Sequence, residues 1–204
     1  MIPTESSLVA YDPATMIESL DSSGVGLRVA FVKQGDRYAQ LIYIVGAANR
    51  AALFCKSQEG IASDVWPPSA PLQSLSIEHR ATSSVALLVG MAGRSHWSAS
   101  VEASPGQCRL LFDIACRVGS DSPQLGSSYL WPATLAATQE ANTLTIAVSP
   151  EQRLRFTCGE GSQFALEAAG CRVTQFDSTK KPVRWQYALE LRAGGFTPPV
   201  SVRS

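Results

Sequence analysis

VRWQYALELR, residues 183–192, is the stretch whose reading decides the fold class. Val183, Trp185, Tyr187, Leu189 and Leu191 fall on one side of an extended chain, and Arg184, Gln186, Glu190 and Arg192 on the other. Successive side chains of a strand point to opposite faces, so this alternation describes a strand with one face on a core. Moving outward, the same period recurs in residues 27–33 and 37–45, which flank the turn Gln34-Gly35-Asp36-Arg37 as a hairpin. It recurs again in 52–56, 73–80, 84–91, 96–103, 108–118, 143–149, 153–158, 163–169 and 171–176. Helical periodicity is confined to 14–21, with a helical turn around 133–141. The chain therefore reads as all-β and antiparallel, a β-sandwich of about ten to twelve strands, with a β-barrel as the alternative.

With 204 residues, a core of proper size fits one domain spanning 1–204. The one break in composition is SDVWPPSAP, residues 63–71, whose three prolines exclude a central strand and mark a long connection. Seventeen basic residues balance seventeen acidic ones, which leaves no electrostatic footprint for nucleic acid or an anionic membrane. No segment reaches the roughly 18 apolar residues of a membrane span, and the opening MIPTESSLVAYDPATM lacks the features of a secretory signal, so a cytoplasmic setting is expected. The five cysteines form no CxxC pair and read as buried thiols in a reducing compartment.

Turn lengths fix expected registers. A loop at Ser104–Gln107 pairs Ala103 with Cys108 and sets Ser98 opposite Asp113. A loop at Gly159–Gly161 makes 153–158 and 163–169 a hairpin, and an Ala169-Gly170 turn extends it into a three-stranded meander with Glu167 between Arg153 and Arg172. Phe112 and Trp185 belong to the core face.

CRLLFDIACRV, residues 108–118, carries a carboxylate within an apolar run. Alternation points Asp113 away from the Phe112 face, onto one shared with His96 and Arg117. An Asp beside an imidazole fixes its tautomer, which gives an acid–base constellation of His96 as base, Asp113 as orienting partner and Arg117 for an anionic group. Cross-strand ion pairs explain the same charges without catalysis, and that reading carries more weight. Trp66 and Trp131, each followed by proline in a loop, are candidates for stacking a sugar ring; His79 is the third ligand-side candidate. No metal site, nucleophile elbow or dinucleotide fingerprint is present, and no cofactor is implied. The sequence thus favours a non-catalytic binding or interaction module for a carbohydrate-like small molecule or a protein. An acid–base enzyme on a sugar-like substrate is one alternative. A structural subunit of a homo-oligomer, joined through residues 183–192, is another.

Overall fold

A computed structural model describes residues 12–119, 125–175 and 182–193. The chain runs through β1 (Met16–Leu20), β2 (Gly26–Gln34), β3 (Arg37–Gly46) and β4 (Arg50–Ser57) in one sheet, then crosses to the other for β5 (Ser74–His79), β6 (Ser84–Ala92), β7 (Ser95–Ser104) and β8 (Arg109–Arg117). β9 (Ser127–Leu130) returns to the first sheet, and β10 (Ala137–Glu140), β11 (Thr143–Ser149) and β12 (Gln152–Cys158) lie in the second. β13 (Ser162–Glu167) and β14 (Gly170–Gln175) complete the first sheet, and β15 (Val183–Ala193) is inserted between β12 and β8 of the second. The orders are β1-β2-β3-β4-β9-β14-β13 and β10-β11-β12-β15-β8-β7-β6-β5. Every pairing is antiparallel and both sheets stay open, so the sandwich holds and the barrel does not. Among the described residues no helix is long and apolar enough to cross a membrane.

One apolar cluster fills the space between the sheets, with Phe112 and Trp185 at its centre, 0% and 1% exposed. The Phe112 ring stacks on Tyr187 at 4.9 Å, and Tyr129 of the facing sheet meets Tyr187 edge-on at 5.9 Å. Their hydroxyls lie 2.7 Å apart across the sandwich, and Tyr129 OH donates to Gln40 Oε1 at 2.5 Å. Trp185 Nε1 likewise donates to Ser127 Oγ at 3.0 Å. Polar atoms in a low-dielectric core are costly unless paired, and these pairs clasp one sheet to the other.

The β2–β3 hairpin has the expected turn. Gln34 pairs with Arg37, and Gly35 alone of the two turn residues has positive φ (+60°), the geometry in which glycine takes the first central position. Three strands lie beyond the twelve expected, namely β1, β9 and β10, all of five residues or fewer. β1 occupies the segment expected as a helix, because pairing Met16 with Ala30 and Leu20 with Gly26 outweighs weak local propensity. β10 replaces the helical turn and pairs with β11.

Two registers differ from expectation by two residues. Cys108 adopts φ +48° and belongs to the turn, so Ser104 pairs with Arg109 and Ser100, instead of Ser98, faces Asp113. The cause is tertiary: buried Ser19 of β1 donates to Ser104 O at 2.5 Å and accepts from Arg109 N at 3.0 Å, pinning the turn from the other sheet. In the β13–β14 hairpin Glu167 pairs with Gly170. The three-stranded meander is not formed: Gly159–Gly161 is a corner that carries the chain from β12 in one sheet to β13 in the other, so Arg153 and Glu167 lie in different sheets. Phe156 and Phe164 still meet, edge-to-face at 6.3 Å, but across the sandwich. β15 is a central strand and offers no joining edge.

The connection around 63–71 links β4 to β5. Tyr38 N donates to Leu72 O at 2.7 Å, and Ser69 Oγ both accepts from Ser128 N and donates to Ser128 O. The opening segment 1–11 and the loop holding Lys180-Lys181 lie outside the described residues.

Candidate functional site

The outer face of the eight-stranded sheet holds His96, Asp113 and Arg117 but does not gather them. His96 pairs directly with Arg117. Asp113 lies four residues farther along β8, on the order of 13 Å at strand rise, which no hydrogen bond spans. Its carboxylate is taken by β15 instead: Arg184 Nε donates to Oδ1 at 2.6 Å, Arg184 Nη2 binds Oδ2, and Gln186 Nε2 donates to Oδ2 at 2.9 Å. The bidentate arginine, and the glutamine after it, hold this acid below the ordinary aspartate value. Asp113 is thus the cross-strand ion pair of the plainer reading, and the expected His96–Asp113 contact is absent. His79 sits at the exposed end of edge strand β5, its Nδ1 2.9 Å from Ser84 Oγ. Seven residues of β6 separate its level from that of His96, on the order of 23 Å.

Neither loop tryptophan offers a free ring. Trp131 is 7% exposed and tilted against Phe156 at 6.2 Å, and half-buried Trp66 packs edge-on against Trp97 at 6.1 Å. Trp131 belongs to the core cluster and Trp66 packs against it. Burial pushes the Cys116 and Cys158 thiols up to about 12, so neither is a nucleophile near neutral pH.

The geometry that sequence reading missed lies where the β4–β5 connection folds back over the β2–β3 turn. Gln34, Gly35 and Asp36 of the turn, Lys56 and Ser57 of β4, residues 58–62 and Leu130 line a cleft of about 500 Å³. Beneath the connection lies Arg37, 1% exposed. Its Nε donates to Asp36 Oδ1 at 2.9 Å and its Nη2 to Asp36 Oδ2 at 3.3 Å and to Ile61 O at 3.1 Å. Gly60 lies so close to Pro67 that a Cβ would sit 2.8 Å from the proline ring, which seats the loop on the connection. Asp64 Oδ2 accepts from Ile61 N at 2.8 Å and sets its curvature.

Two carboxyls in this cleft are driven in opposite directions. The Arg37 guanidinium bonded to Asp36 holds that acid low, with Gln73 Nε2 adding a second donor. Glu59 is pushed up to about 7, chiefly by burial, which outweighs the hydrogen bond from Ser57 Oγ (2.6 Å) and the charge of Arg37. Its Oε2 is buried with no partner among the described residues, and so is Arg37 Nη1. A buried oxygen without a protein partner disfavours the carboxylate, which is the local cause of the upward shift of Glu59. Ser57 Oγ accepts from Gln40 N at 2.7 Å, and through Gln40 the cleft joins the Tyr129–Tyr187 clasp. Nothing in SQEG, residues 57–60, signals this burial, because it arises from a crossover between sheets and not from the period of any strand.

No protein family, curated protein or solved structure matches the chain.

Proposed function

We propose that the protein is a non-catalytic binding module of the β-sandwich type, whose cleft at the β2–β3 turn takes a small polyhydroxylated, carbohydrate-like molecule. The reading is carried by the lining: the amides of Gln34 and Gln58, the Lys56 ammonium and the Asp36 and Glu59 carboxyls share one concavity of about 500 Å³. That volume is within the range of small-molecule sites. Donors and acceptors of both charge signs suit hydroxyl groups, which donate and accept together, better than a ligand of uniform charge. Ser57, buried and committed to Gln40 N and Glu59, is no free nucleophile. Five free thiols fit a reducing, cytoplasmic setting.

A second reading, an acid–base enzyme on a sugar-like substrate, draws on the split between ionised Asp36 and protonated Glu59, since pairs of carboxyls driven apart mark acid and base roles. Binding is preferred because Asp36 already serves Arg37 and Gln73.

The test is an amide chemical-shift map of the labelled protein titrated with neutral mono- and disaccharides, with the sugars analysed after incubation. Shifts confined to residues 34–36 and 56–62, weakened in Lys56→Ala, with every sugar recovered intact, are expected. Sugar cleavage that requires Glu59 would replace the first reading by the second. An unperturbed cleft across the panel would overturn both.

A further inference from the structure

A second concavity lies on the outer face of the eight-stranded sheet, in the other sheet from the strands of the cleft. Gln107, Arg109, Arg155, Thr157, Ala188, Glu190 and Arg192 line a groove of about 450 Å³. Pairing explains the cluster. Glu190 of central β15 faces Arg109 of β8 on one side and Arg155 of β12 on the other. Neither arginine takes it, because Glu190 is held by Arg192, two residues along its own strand, at 2.8 Å. Among the described residues Arg109 and Arg155 make no side-chain hydrogen bond or ion pair, and Glu102, one strand beyond Arg109, makes none with it. Three guanidinium groups therefore surround one carboxylate that neutralises only one of them, in a chain whose net charge is zero.

The spacing suits convergence. Strands two apart in a sheet lie about 10 Å from each other, and arginine side chains from both flanks reach the space above the strand between them. Ala188, the next outward position on β15, leaves the floor low between Leu111 and Thr157. Each guanidinium presents a planar fork of donors that matches an oxyanion. We infer that the groove between Arg109 and Arg155 binds a tetrahedral oxyanion, the sulfo or phospho group of a small ligand. Thr157 and Gln107 contribute neutral polar contacts at its two ends. This inference is independent of the cleft: either site can fail without the other.

The experiment titrates the labelled protein at low ionic strength with sodium sulfate, sodium phosphate, a sulfated disaccharide, a hexose phosphate and the unmodified sugars. Shifts at Gln107, Arg109, Arg155, Thr157 and Ala188 are expected with the anions and not with the unmodified sugars. The sulfated and phosphorylated arms separate the two sources of the group. Arg109→Gln and Arg155→Gln should each weaken the binding roughly tenfold, the loss of one charge-assisted contact. Arg50→Gln, an exposed arginine of the other sheet, should leave it unchanged. If no anion moves these residues, or if both groove variants bind like the parent, the inference is wrong.

Discussion

Glu59→Gln removes the titration of one group and leaves its shape, so it converts the cleft's electrostatics into a stability measurement. In the parent, Glu59 holds its proton up to about pH 7, whereas an unfolded glutamate releases it near 4.5. Between those values the native state binds more protons than the unfolded one, so stability falls as pH rises. The full separation corresponds to roughly 3 kcal/mol, and because Glu59 is half-buried and solvent screens part of the effect, a loss of roughly 1 to 3 kcal/mol is expected from pH 4.5 to 8. The glutamine variant should lack that slope and should be the more stable protein at pH 8. Asp36 and Asp113, both held below the ordinary aspartate value, contribute stability that rises with pH at the acid end, opposite in sign to the Glu59 slope and shared by parent and variant. The raised thiols titrate above this window. Urea unfolding followed by tryptophan fluorescence at several pH values, with m constant, gives the comparison. Parallel curves for parent and variant would refute a protonated Glu59.

Phe112→Ala opens a cavity at the centre of the aromatic stack and should cost roughly 3 to 5 kcal/mol in urea unfolding. Tyr129→Phe leaves buried Gln40 Oε1 and the Tyr187 hydroxyl each short of a partner and should cost roughly 1 to 3 kcal/mol, with Tyr187→Phe less than additive on top of it. Asp113→Asn breaks a surface pair whose arginine side chain is 59% exposed and should change stability by roughly 1 kcal/mol or less. A disulfide reagent at pH 8 should modify native protein slowly and at half-buried Cys108 alone, while denatured protein yields all five thiols at once.

What the sequence made legible was decided by local period. The two faces of β15, the core placement of Phe112 and Trp185 and the β2–β3 hairpin follow from alternation and one glycine, and all three stand in the structure. Register was lost where a distant element intervenes: Ser19 of β1 draws Cys108 into the β7–β8 turn, a contact 90 residues apart that no hairpin rule contains. The Gly159–Gly161 corner misled differently, since a sheet-to-sheet corner and a hairpin place the same apolar residues, Phe156 and Phe164, against each other. The candidate site was illegible for a related reason. Arg37 read as a turn residue and Glu59 drew no reading because it falls in no strand pattern; only the crossover after β4, folding back onto the β2–β3 turn, buries the arginine and brings Glu59 against it.

The most direct measurement on the proposed site is the pH titration of the Glu59 side-chain carboxyl carbon by NMR in the parent protein, with and without a saccharide that shifts the cleft. A midpoint near 7 that moves when the saccharide binds is the predicted result. A midpoint near the ordinary 4.5, unmoved by any ligand, would contradict the claim that this cleft is the binding site.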